Sequence, residues 1–113
     1  MSGLKPGLLD REVVLQTGVK SQDPDTGEEL IDWETTEATL WAQWLPAGTT
    51  EAYRAQQRLG SYVDGVFRIY DRDPRPTPDA SRIVFDGRTF EILTAVDVQE
   101  RHRILLLNCR ELI

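Results

Sequence analysis

Arg82-Ile83-Val84-Phe85-Asp86-Gly87-Arg88-Thr89-Phe90-Glu91-Ile92 spells a β-hairpin. Ile83, Val84 and Phe85 are strand formers. Asp86-Gly87 supplies the two left-handed residues that a tight two-residue turn demands. Beyond the turn, Phe90 and Ile92 alternate with Thr89 and Glu91, the period of a half-buried strand. Strand character continues through Leu93, Ala95, Val96 and Val98. The polar run Gln99 to Arg103 then reverses the chain, and Ile104 to Cys109 returns. That last run is apolar on both faces, so it has to be covered on both sides.

Working back towards the N-terminus, Asp71 to Ser81 carries Pro74, Pro76 and Pro78 at every second position. It favours extended, polyproline-like backbone and cannot be a central strand. Ser61 to Asp71 reads as a strand with Val63, Gly65, Phe67 and Ile69 on one face, and Asp64-Gly65 marks a bulge. Pro46-Ala47-Gly48 breaks the preceding strand. Thr50 is the expected N-cap of a helix running to Leu59 and stopping at Gly60. A helix so short needs a docking surface to persist.

Ile31 to Leu45 is strand-like and holds Trp33, Trp41 and Trp44. Trp41 and Trp44 stand an odd number of positions apart, so they point to opposite faces: one fills the core and the other covers a second surface. Asp23 to Gly27 is a loop tip, and Glu12 to Val19 a strand with Val13, Leu15, Thr17 and Val19 on one face. Met1 to Leu9 reads as an extended arm. The expected fold is mainly β: a single domain over residues 1–113, built as a small β-barrel of about six strands with one short helix and long loops.

Composition narrows the function. The chain has 113 residues and a formal net charge of −6. Proteins that grip nucleic acid cluster Lys and Arg to displace counterions, which an acidic chain does poorly. Acidic walls suit a channel that DNA must slide through. One cysteine permits neither an internal disulfide nor a Cys-rich metal site. No apolar run has the length of a membrane span, and Met1 to Asp10 lacks the apolar core of a signal peptide, so a soluble chain made in the cytoplasm is expected.

Little in the residues suggests catalysis or a cofactor. His102 is the only histidine and stands between Arg101 and Arg103, without a second ligand or nucleophile at usable spacing. Cys109 lies in the apolar last strand, as a buried small hydrophobe would. Asp23-Pro24-Asp25-Thr26-Gly27-Glu28-Glu29 departs from a calcium loop, because Gly27 is fifth rather than sixth. The acids lie in polar runs, which suggests no tuned carboxyl. No metal, cofactor or catalytic residue is expected.

The ordered elements resemble the tailed-phage head–tail joining proteins over roughly Leu8 to Glu111. Val13 to Gln16 resembles the family's first strand, Asp23 to Gly27 with Trp33 its first hairpin loop, and Trp41-Ala42 with Pro46 and Gly48 its second strand and exit. Glu51 to Gln57 resembles its short helix, Phe67 to Tyr70 its third long strand, and Arg82 to Glu111 its C-terminal half. The resemblance implies a structural virion protein, made in the host cytoplasm. It would sit at the head–tail interface in a homo-oligomeric ring of about twelve copies. A portal or adaptor ring would lie on one side and a tail terminator or tail on the other, with DNA passing through unread. An adaptor, a stopper, a tail-proximal ring and the equivalent ring of a gene-transfer particle all fit the same pattern.

Two groups of residues are candidates for contacts. Tyr53, Arg54, Gln57 and Arg58 lie in the segment Pro46 to Gly60, which in the family can project towards the channel. They are expected to meet a neighbouring subunit, an adjoining ring or DNA. Arg101, His102 and Arg103, with Trp44, are candidates for docking onto a partner. The alternative from the residues alone is an OB-like barrel for single-stranded nucleic acid, which needs stacking aromatics in a basic groove.

Overall fold

The computed structural model describes residues 9–46, 48–59 and 63–112. It contains β1 (Arg11–Gln22), β2 (Glu29–Pro46), α1 (Thr50–Leu59), β3 (Gly65–Tyr70), β4 (Ser81–Phe85), β5 (Arg88–Asp97) and β6 (Ile104–Leu112), with a 3-10 turn at Val98–Glu100. The six strands are antiparallel and close into a barrel in the order β1-β2-β3-β6-β5-β4. The expected mainly β architecture is therefore what the chain adopts.

The β4–β5 hairpin forms as read from the sequence. Phe85 pairs with Arg88, and Asp86 (φ 53°) and Gly87 (φ 72°) both occupy the left-handed region of a type I′ turn. The last strand is also covered twice. Leu105, Leu107 and Cys109 face the interior, while Leu106 faces outward into a second cluster.

The barrel interior is built from alternate residues of every strand: Val13 and Leu15, Leu40 and Ala42, Phe67 and Ile69, Ile83, Phe90 and Ile92, then the inward side of β6. Each fully buried large side chain contributes roughly 1.5–3 kcal/mol of transfer free energy. One end of the barrel is closed by aromatic rings. Trp44 packs 4.5 Å from Phe67, 5.1 Å from Phe90 and 5.9 Å from Phe85, centroid to centroid. Gly65 makes room for it. The glycine stays in register opposite Pro46 and Cys109, so it serves close approach rather than the bulge expected there.

α1 lies outside the barrel. Among its described side chains Ala52 and Ala55 are buried, and they share a cluster with Val63 and Val66, against Leu45, Leu93 and Leu106. Val63 thus precedes β3 and belongs to this outer cluster, not to the inward face with Phe67 and Ile69. The cap also differs by one residue. Thr49, not Thr50, accepts the Ala52 amide on its hydroxyl, and that hydroxyl donates to the Pro46 carbonyl at 2.8 Å. Capping at Thr49 ties the helix start to the end of β2. The expected stop at Gly60 and nearly all of the expected arm, residues 1–8, lie outside the described residues.

Candidate assembly surfaces

The barrel has two unlike ends. At one lie the starts of β1 and β5, the ends of β2 and β6, the Asp86-Gly87 turn and the entry to α1. At the other lie the β1–β2 tip, the proline-rich segment 71–80 and the turn 98–103.

At the second end, four side chains from three segments converge. The Arg75 guanidinium grips the Asp71 carboxylate twice, at 2.8 and 2.9 Å, and reaches Asp97 at 3.2 Å and His102 Nδ1 at 2.9 Å. The His102 amide also donates to Asp97, and the Asp71 amide to the Arg103 carbonyl at 2.7 Å. The cluster clasps the proline-rich segment to the basic turn, whose Glu100 and His102 hold positive φ. Arg75 keeps the Asp71 carboxyl below its usual range, chiefly through that hydrogen bond. That shift comes from an ion pair and lowers the carboxyl, where acid–base work would need one raised by an apolar setting. The i,i+4 spacing of Asp71 and Arg75 could have signalled the first pair, but nothing in the sequence joins it to Asp97.

Asp71, Asp97 and His102 bring three potential ligand atoms within 4.8 Å of one another. The guanidinium already neutralises that pocket, so a metal ion would have to displace Arg75. Cys109 is fully buried, and burial pushes its thiol pKa upward, away from the nucleophilic thiolate.

Of the expected docking residues, Arg101, His102 and Arg103 are together and exposed. Trp44 is not with them. It occupies the opposite end, inside the barrel, with Arg88 over its ring at 5.8 Å. The outward tryptophan is Trp41, about half exposed, opposite Glu12 on β1. That split leaves no pair of stacking tryptophans in a basic groove among the described residues, as the nucleic-acid alternative would need.

Tyr53, Arg54 and Gln57 are exposed on α1, away from Ala52 and Ala55, and the Gln57 amide donates to the Tyr53 hydroxyl at 3.0 Å. The Arg58 side chain lies outside the described residues. On the outer face, opposite a residue of the α1 cluster, stands a polar residue that the sequence did not single out. Asn108 is 2% exposed, opposite Val66. Its Nδ2 donates to Thr94 Oγ1 at 2.7 Å, but its Oδ1 has no partner.

A family model described as phage head completion protein matches residues 4–112. No curated protein matches the chain. Among solved structures, a chain in the virion of a native gene transfer agent particle shares the fold with a TM-score of 0.63 and 21% sequence identity, over 92% of this chain and 96% of that one.

Proposed function

The chain belongs to the phage head completion protein family, and from that membership we propose that it forms a ring below the portal that completes the head and offers the surface for tail attachment. Members of this family are structural proteins of the virion, and this chain is one. The observation that carries the reading is the match across residues 4–112, nearly the whole barrel.

The surface suits assembly. Trp41 and Tyr70 are each about half exposed on the outer wall where β2 and β3 part, and Tyr53 stands out from α1. Large aromatic side chains of this kind anchor interfaces. In the proposed ring each contact is modest and repeated, so avidity holds the copies on their partner. The free chain is then monomeric or weakly associated. Size-exclusion chromatography showing a tight dimer at every concentration would contradict this.

We place the moving part of the ring at Pro46 to Gly60. Ala52 and Ala55 of the short helix pack with Val63 and Val66, and Gly48, at φ 95°, gives its entry a hinge. Tyr53, Arg54, Gln57 and Arg58 would then turn to the neighbouring subunit, the next ring or DNA. Replacing residues 48–59 with a short Gly-Ser linker tests the gate. Particles that lose packaged DNA or fail to attach tails, with the barrel still folded, support it. Normal infectious particles would reduce the segment to a connector.

A further inference from the structure

Among the described residues, the longest projection is not α1 but the β1–β2 ribbon. β1 pairs with β4 only from Val14 to Thr17, with one more bond from the Gly18 amide to the Ala80 carbonyl. Beyond Gly18 the two strands pair with each other alone, from Val19 opposite Asp32 to Gln22 opposite Glu29. That ribbon extends roughly 17 Å past the last rung shared with the barrel.

Its charge is unlike that of the remainder. Gly18 to Glu34 holds six carboxylates (Asp23, Asp25, Glu28, Glu29, Asp32 and Glu34) and one lysine, a net −5 of the chain's −6. The other residues, thirteen acids against twelve bases, carry −1. Between the carboxylates stand three exposed aliphatic side chains, Val19, Leu30 and Ile31, each more than 40% accessible. Solvation alone explains the acids but not the aliphatics. The element is also stiff. Trp33 stacks under Arg82 at 4.2 Å at its root, and the tip is closed by Asp23 and Gly27 backbone bonds and by Asp23 Oδ1 accepting the Asp25 amide. A preformed ribbon binds without a large ordering cost.

We propose that the β1–β2 ribbon docks onto a different virion protein, one that presents Lys and Arg around an apolar floor. A second copy of this chain is a poor complement. Arg11, Arg72, Arg75, Arg88 and Arg110 are each already paired with a carboxylate of their own chain, the exposed basic turn Arg101 to Arg103 lies at the ribbon's own end of the barrel, and outside the ribbon no net positive charge remains. The complement has to come from elsewhere. This docking deepens the ring reading above, since it names the surface by which the ring would grip its neighbour.

The test uses heads and free tails from particles made without this chain. Each is mixed with the purified full chain and sedimented at about 50 and about 500 mM sodium chloride. Two variants are compared, D25N/E28Q/E29Q/D32N and L30S/I31S. Both leave Asp23, Thr26 and the barrel untouched, and unchanged melting temperatures verify their folding. The wild-type chain should co-sediment with heads or with tails and weaken at high salt, and each variant should bind at least about tenfold more weakly. Binding of both variants at the wild-type level would overturn the docking while leaving the ring reading intact. So would variants that bind particles normally but lose self-association, because the complement would then be a second copy. A wild-type chain that binds neither heads nor tails would sink the ring reading itself.

Discussion

Trp44 and Gly65 occupy one space. A methyl group on Gly65 would stand 2.2 Å from Cη2 and 2.6 Å from Cζ3 of the indole, and 2.9 Å from the Leu45 carbonyl. The indole closes the aromatic end of the barrel over a strand that has no side chain there. Gly65→Ala should therefore destabilise the fold by about 2–3 kcal/mol, the cost of overpacking against a ring that cannot retreat. Urea denaturation measures it. Combining Gly65→Ala with Trp44→Leu should cost less than the two single changes added together, and strict additivity would show that the indole is not the obstacle.

Gly87 offers the contrast. Its added methyl would meet nothing within 4 Å, so only the positive φ opposes a side chain. Gly87→Ala should cost about 1 kcal/mol and leave the β4–β5 register unchanged in amide chemical shifts. A loss as large as that at Gly65 would refute the distinction between strain and collision.

Acid should weaken the protein through two carboxyls. Arg75 holds Asp71, and Arg88 holds Glu111, below their ordinary values, in both cases chiefly by a side-chain hydrogen bond. A depressed folded pKa contributes stability that is present above the unfolded value of about 4 and is lost as pH falls through the folded value. Melting temperature should hold steady above about pH 5 and decline below about pH 4. Arg88→Gln should melt lower at neutral pH and show a shallower acid decline. An unchanged acid slope would mean that Glu111 contributes nothing there.

Asn108→Val removes a buried carbonyl oxygen that has no partner, at the cost of one hydrogen bond to Thr94. The balance should be neutral to about 1 kcal/mol stabilising. Urea denaturation measures it, and a loss of more than about 1 kcal/mol would show that the bond to Thr94 outweighs the unpaired oxygen.

The local chemistry of the chain was enough to specify its elements. Asp86-Gly87 admits few conformations other than a tight hairpin, and the two-sided apolar run Ile104 to Cys109 has to be covered on both faces. Pro46 and Gly48 had to end β2, and the three prolines from Pro74 to Pro78 had to stay out of the sheet. Each of these is set by backbone sterics or by periodicity, which act within a few residues. What only the tertiary structure decided depends on who meets whom. The odd spacing of Trp41 and Trp44 required opposite faces, but Trp44 turned inward because Gly65, on another strand, left the volume for it. Val63 joined the outer cluster because α1 came down on Val66. The carboxyls of Asp71 and Asp97 came together around Arg75 because β6 pairs with both β3 and β5, which sets Tyr70 opposite Ile104 and Asp97 opposite Leu105. The closure of β1 on β4 stops at Thr17, leaving the acidic ribbon to pair only with itself. Its residues are plain in the sequence, but their isolation from the barrel follows from where the last shared rung falls.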